Sequence, residues 1–321
     1  RAADPRDLHP SARIRLGDLG PARGGTARGT LRWLALPGVR GTHAVTGKYP
    51  VAAAPPADET ADLENPRTDI EVLPTPDALM HAAAERWVSA AAQAIEVSGR
   101  YAVALAGGST PQSLYALLAA DPYASAVDWS RVNVFWSDER CVPPDDPRSN
   151  YRMAREALLA RVPILEENTF RIRGEDEPAA AAAAYERELR EFFATHDGPP
   201  RLTPGSRFDL VLLGMGEDGH TASLFPGMAA PREGSPWVKV VHLPEGSMSR
   251  VTLTPGVIDA AAEIVFLVSG RAKAATLQRV LEGPYRPEAL PAQIIAPRAG
   301  RLRWLVDADA AANLEADGRG R

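Results

Sequence analysis

The chain has 321 residues, 45% of them hydrophobic and 24% charged, which suits one large or two modest globular domains and excludes collagen-like, coiled-coil and wholly disordered chains. No stretch approaches the roughly 20 uninterrupted apolar residues of a membrane span, and the single cysteine, Cys141, excludes a disulfide framework or thiolate cluster and fits a reducing cytoplasm. The formal net charge of −5 gives no electrostatic reason to expect nucleic acid as a partner.

The first 50 residues stand apart. Nine basic residues against Asp4, Asp7 and Asp18 give a local net of +6, leaving −11 for residues 51–321. Rich in Gly, Pro and Arg and without an apolar period, this segment reads as a disordered extension, or as upstream sequence read through from a mis-set start. It lacks the serines of a transit peptide and the apolar stretch of a secretory signal. Residues 50–68, with four prolines, read as its linker. From Asp69 the pattern is regular. A strand at 70–73 leads through Thr75-Pro76-Asp77, a cap with Pro at the first helical position, into a helix that stops at Ser98-Gly99. Strand 101–106, a Gly-Gly turn and helix 111–119 follow, then strand 132–136 and a helix near 150–160. An Ala-rich helix over 178–194 precedes an apolar run at 208–213. Further strands are predicted at 238–243, 250–253, 264–268 and 302–306, with helices at 255–262, 271–282 and 308–315 and a flexible tail over 316–321. Alternation of this kind predicts an α/β fold with a mostly parallel sheet and helices on both faces.

In such sheets ligands bind beyond the carboxyl ends of the strands, and four of those ends carry unusual residues. Gly107, Gly108, Ser109 and Thr110 join a strand to a helix, offering close backbone approach, hydroxyls and a helix N-terminus for an anion; the bland alternative is a plain turn capped by Thr110. It is not a P-loop, since the Gly-Lys-Ser/Thr ending is absent. Ser137-Asp138-Glu139-Arg140 sets two carboxylates and a guanidinium at a strand end, with Ser149-Asn150-Tyr151 downstream as a polar wall. Gly214 to Gly219 formally satisfies a dinucleotide fingerprint. Glu217 and Asp218 would occupy the pyrophosphate position, however, Pro226 curtails the helix, and no acidic residue lies twenty positions on. What remains is a glycine turn, including Gly216 and Gly219, that presents Asp218 and His220: an imidazole general base with a carboxylate to orient it. The six histidines include no H-x-x-x-H pair, so no metal site is expected. Ser269-Gly270-Arg271-Ala272-Lys273 is the fourth end; in a chain of 33 arginines and three lysines, Lys273 suggests a compact ammonium for a phosphate. Arg250 and Thr252 border the same edge.

Together AGGSTP at 106–111, SDER at 137–140, SNY at 149–151, GMGEDGHTASLFP at 214–226, SRVTLTP at 249–255 and SGRAK at 269–273 resemble the 6-phosphogluconolactonase family, in its order and approximate spacing, over about residues 69–315. The resemblance implies a Rossmann-like, NagB/RpiA-type fold that uses no nicotinamide or other cofactor. It also implies hydrolysis of 6-phospho-D-glucono-1,5-lactone in the pentose phosphate pathway; the expected setting is the cytoplasm, and the expected assembly a monomer or small homo-oligomer, a choice the sequence leaves open. By resemblance His220 is the catalytic candidate, with Arg140 and Lys273 positioned for the anionic groups of a phosphorylated sugar lactone. Bottom-up chemistry agrees: His220 deprotonates water, Asp218 holds the imidazole, and backbone amides of the 107–109 or 216–219 turn stabilise the oxyanion or hold the phosphate. Two alternatives stand beside this. One is a glucosamine-6-phosphate deaminase, in which the fifth residue after the histidine is a Glu where this chain has Phe225. The other is a sugar-phosphate sensor without turnover, for which the basic N-terminus offers no helix-turn-helix.

Overall fold

The structure, a computed structural model, describes residues 68–194, 205–228, 236–243, 248–297 and 299–315, and the backbone alone of 28–33 and 44–48. The N-terminal segment departs from expectation in those last two stretches. β1 (Arg28–Trp33) lies parallel to β3 (Thr68–Leu73), and β2 (Ala44–Lys48) lies antiparallel to β1. Without them β3 would expose an edge of unpaired amides and carbonyls. Arginines and glycines interspersed among Thr30, Leu31, Trp33, Val45 and Thr46 hide the strands from a search for apolar runs. The rest of the expected extension, and the expected tail over 316–321, fall outside the described residues.

The remaining strands of this sheet are β4 (Tyr101–Leu105), β5 (Val132–Trp136), β7 (Leu210–Gly214), β10 (Glu263–Val268) and β11 (Arg301–Asp307). They run all parallel with β3 in the order β3-β11-β10-β7-β4-β5. Every residue of β4 and β5 is buried, Asn133 included, so both faces of the sheet are covered, as their largely apolar runs predict. A second, antiparallel sheet was not foreseen: β6 (Asp138–Arg140) pairs with β9 (Arg250–Leu253), which pairs with β8 (Val238–Val241). Its first strand has three residues, two of them acidic, and leaves no periodic signal.

Helix ends follow their capping chemistry. α1 (Pro76–Ser98) opens with Thr75 accepting from the Ala78 amide at 3.1 Å and closes at Gly99 in the left-handed region. α2 (Ser109–Leu118) starts two residues before the expected position. Gly108 is its N-cap and no side chain caps it, so Thr110 belongs to the first turn instead of capping the helix. α3 (Asn150–Ala154) continues as one π turn over Arg155–Leu159, and α4 (Pro178–Phe192), α5 (Pro255–Ile258) and α6 (Ala274–Leu281) fall within their expected spans. The helix expected over 308–315 is a run of turns: the Asp307 carboxylate takes the Ala310 amide at 2.7 Å and closes the chain locally. None of the described helices is long and apolar enough to cross a membrane.

This order locates the ligand site. From β4 the chain steps outward to β5, then returns to the opposite side of β4 to lay down β7. The connections leaving β4 and β7 therefore diverge, opening a crevice at the carboxyl ends of the two strands.

Candidate active site

A cleft of about 200 Å³ lies at this crevice. Gly107 and Gly108 line it after β4, Asp138 and Arg140 after β5, Gly216 and His220 after β7, and Lys273 after β10. Asn150 at the start of α3 and Arg250 on β9 complete the predicted residues that line it. Ser109, Thr110, Asp218 and Gly219 lie outside the lining. The first two form the opening of α2, Asp218 backs His220, and Gly219 passes beneath, its carbonyl accepting from Ala292 at 2.9 Å. Sequence reading missed Ser137, Met215 and Ala222, which also line the cleft.

Two buried tyrosines fix the strand ends from which the cleft is built. The Tyr115 hydroxyl donates to the Ala106 carbonyl (2.8 Å) and accepts from its amide (3.0 Å). Tyr185 does the same at Trp136, at 2.9 and 2.8 Å. Each supplies, at the last residue of a strand or just past it, the pair of bonds that a neighbouring strand would otherwise make.

His220 is held on three sides. Its Nδ1 lies 2.6 Å from Asp218 Oδ1, which also accepts the His220 backbone amide at 3.1 Å. Burial alone would raise the Asp218 carboxyl, but these bonds outweigh it and hold the group below the usual carboxylate range. An ionised Asp218 accepts a proton-bearing Nδ1, so the lone pair of the neutral ring sits on Nε2. The Phe225 ring packs against the imidazole, centroids 4.7 Å apart. On the third side Gly216 leaves no room: a Cβ there would lie 2.1 Å from His220 Nδ1 and 2.5 Å from Asp218 Oδ1. The turn's own amides are engaged, Gly216 N–H donating to His220 O (2.8 Å) and Gly219 N–H to Gly216 O (3.1 Å).

Positive charge collects on the opposite wall. Arg140 and Arg250 are directly paired across β6 and β9, an arrangement that is unfavourable for like charges. Neither forms an ion pair among the described residues, and the Nε atoms of both are buried without a partner. Arg140 donates to the Arg148 carbonyl. Burial first, and then Arg140, push the Arg250 guanidinium below its usual range. An anion between the two would relieve both penalties. Lys273 Nζ lies 4.0 Å from the carboxylate of Glu217, an exposed residue at the turn before His220. The Lys273 turn is anchored from β11, where buried Asp307 accepts the Ser269 hydroxyl (2.5 Å) and the Gly270 amide (3.0 Å).

Both carboxylates at the end of β5 are engaged by protein donors, although Asp138 also borders the cleft. Glu139, 2% exposed, takes the amides of Arg140, Asn150 and Tyr151 and the Ser149 hydroxyl, all within 2.7–2.9 Å. Burial still outweighs those four bonds and raises its carboxyl. In this way it seats the first turn of α3. Asn150, so placed, donates to the Asp138 carbonyl (2.9 Å) and to Asp138 Oδ1 (3.1 Å). The spacing of SDER and SNY hinted at this contact; nothing in it foretold that Glu139 would join the N-cap Ser149 in taking the first amides of α3.

A family model described as glucosamine-6-phosphate isomerases/6-phosphogluconolactonase matches residues 74–304. A 6-phosphogluconolactonase of Nostoc sp. is 40% identical over 247 residues, covering 76% of this chain and 98% of its own length. Among solved structures, the 6-phosphogluconolactonase of Thermotoga maritima superposes with a TM-score of 0.63 at 30% identity, covering 75% of this chain and all of its own. That of Trypanosoma brucei gives 0.66 at 29%, covering 78% and 100%. A monomeric glucosamine-6-phosphate deaminase, 21% identical with a TM-score of 0.63, shares the fold. The chain belongs to the glucosamine-6-phosphate isomerase/6-phosphogluconolactonase family.

Proposed function

We propose that this chain is a 6-phosphogluconolactonase: it hydrolyses 6-phospho-D-glucono-1,5-lactone to 6-phosphogluconate in the oxidative pentose phosphate pathway, in the cytoplasm. Residues 69–315 form the catalytic unit, acting as a monomer or small homo-oligomer. The observation that carries the reading is a carboxylate-oriented imidazole in one cleft, at the strand switch point, with two arginines that form no ion pair among the described residues. Likeness to lactonases over nearly their whole length supports it.

His220 Nε2 takes a proton from water as the water oxygen bonds to the lactone carbonyl carbon, and Asp218 supports the imidazolium that forms. The tetrahedral intermediate collapses by breaking the bond to the ring oxygen, which takes the proton from His220 and becomes a hydroxyl. The new carboxylic acid then ionises, so protons balance and no cofactor is consumed. Gly216 and Gly219 spend their amides within their own turn, whereas those of Gly107, Gly108 and Ser109, at the uncapped start of α2, have no partner among the described residues. These amides, with Arg140, Arg250 and Lys273, carry the two anionic loads: the phosphate and the developing oxyanion. The Phe225 ring against His220 offers no proton acceptor, which disfavours the deaminase alternative.

The test follows acid release from lactone generated in situ, against the spontaneous background, for the wild type and a folded His220→Ala variant. The expected result is a fast wild type and a mutant slowed about 10²-fold or more. An unimpaired mutant removes the base, and an inactive folded wild type that releases ammonia from glucosamine 6-phosphate overturns the function.

A further inference from the structure

The two walls of the cleft belong to different sheets. His220 follows β7 of the parallel sheet, while Arg140 and Arg250 sit on β6 and β9 of the antiparallel one. Something must fix the base relative to the cations, because a displacement of about 1 Å costs about 10²-fold in rate. Ser223, three residues beyond His220, is fully buried and contributes nothing to the lining. Its hydroxyl donates to Asp138 Oδ2 at 2.6 Å, and its amide donates to Thr252 Oγ1 at 3.2 Å. Thr252 pairs with Asp138 across β6 and β9, so both bonds tie the His220 turn to the arginine-bearing sheet. The chain between His220 and Ser223 has little slack. Ala222 holds a φ of +46°, which is uncommon for a residue with a Cβ, and Thr221 Oγ1 donates back to the Gly214 carbonyl at 2.9 Å.

We infer that Ser223 and Asp138 are positioning residues that set His220 against the arginines. The Asp138 carboxylate, at the border of the cleft, acts through Ser223 on one oxygen and Asn150 on the other. A hydroxyl-to-carboxylate bond between two residues each under 10% exposed is among the stronger contacts a protein makes. With a donor on each oxygen, Asp138 is a poor candidate for water activation, a role His220 is better placed to fill. This assignment rests on the lactonase reading for its kinetic test, and has a second readout that does not.

Ser223→Ala is expected to lower kcat about 10- to 100-fold, while KM and the inhibition constant of 6-phosphogluconate stay within about threefold, because the cationic side chains remain in place. Ser223→Cys, close in size with a weaker donor, is expected to fall between Ala and the wild type. It also serves as the deciding variant if Ser223→Ala does not fold. A loss of kcat matched by an equal rise in the inhibition constant would make these groups substrate ligands, and an unchanged kcat in a folded variant would make them merely structural. Either result overturns the inference. Independently of turnover, the ring signal of His220 in ¹⁵N-histidine-labelled protein, assigned by its loss in His220→Ala, is expected to be single in the wild type and doubled or broadened in the Ser223 variants. If the wild type fails to open the lactone, the lactonase reading falls, and this spectrum still decides the positioning role: an unchanged signal refutes it.

Discussion

Gly107→Ala tests how tightly the cleft is built. The backbone there does not require glycine by its φ, so a methyl group matters only for the space it takes. A Cβ at 107 would lie 2.0 Å from Asn150 Oδ1, 2.4 Å from its Cγ and 2.6 Å from its Nδ2, over 1 Å inside ordinary contact. The Asn150 amide, 2% exposed, must swing away and release its bonds to the Asp138 carbonyl and Oδ1. Losing two buried bonds at about 1–3 kcal/mol each, offset by about 0.4–1 kcal/mol from a stiffer unfolded chain, leaves a destabilisation of about 1–5 kcal/mol. Activity should fall at least about 10²-fold as this wall shifts. Urea denaturation and kcat/KM measure both effects. The decisive experiment adds Asn150→Ala, which removes the three atoms nearest the methyl group. In that background Gly107→Ala should cost close to nothing in stability, giving a coupling energy as large as the single-mutant loss. Additive losses, or a single mutant within about 0.5 kcal/mol of wild type, would refute the reasoning.

Other consequences are open to equally direct tests. Burial pushes the Asp209 carboxyl up to about 6, against the Ala102 amide and the Arg207 and Arg100 guanidinia, which oppose it. The folded state therefore keeps a proton that the unfolded chain releases near pH 4, and stability falls as pH rises between the two values. At about 1.4 kcal/mol per pH unit the penalty reaches about 3 kcal/mol above pH 6. Asp209→Asn, whose amide oxygen still accepts from Ala102, should be neutral near pH 4 and stabilising by up to that amount at pH 7; a pH-independent difference in denaturation midpoint would contradict this. Arg250→Ala and Lys273→Ala should each raise KM for the phosphorylated lactone about 10- to 100-fold, from a lost charge-assisted contact of about 1.5–3 kcal/mol. They should leave hydrolysis of unphosphorylated gluconolactone unchanged, and equal losses on both substrates would remove them from the phosphate. Deleting residues 1–66 removes β1 and β2 from the sheet edge beyond β3, far from β4 and β7, so activity should persist; loss of turnover in a still-folded truncation would show that the segment serves the site.

Much of the fold was legible because it is written in local chemistry. Thr75, Pro76 and Gly99 mark the ends of α1 through hydrogen bonds made within a few residues, and the apolar runs at β4, β5 and β10 report a sheet covered on both faces. The antiparallel sheet was invisible for the opposite reason. β6 has no hydrophobic period of its own and exists because β9, over a hundred residues later, offers it a partner. The strands at 28–33 and 44–48 were hidden in the same way, supported by the edge of β3 instead of by a hydrophobic pattern.

The same division runs through the site. His220 with Asp218 could be read as a pair because both lie on one turn, and the Gly107-Gly108 segment because it follows a buried strand. What sequence could not convey is which groups are already spent. Asp138 and Glu139 look like substrate-facing carboxylates in a string of letters; the structure gives donors to all four of their oxygens. Gly216 and Gly219 look like anion-binding amides, and their hydrogens already point into their own turn. Subtracting the satisfied groups leaves, around a common space beside the uncapped start of α2, one imidazole nitrogen, two guanidinia without an ion pair among the described residues and an ammonium 4.0 Å from the exposed Glu217 carboxylate. A proton acceptor sharing a cleft with this cationic group is the complement of an ester that carries a phosphate and develops a second negative charge on its way to product. The site's selectivity therefore lies in its unspent groups, and its precision in the spent ones that hold them apart.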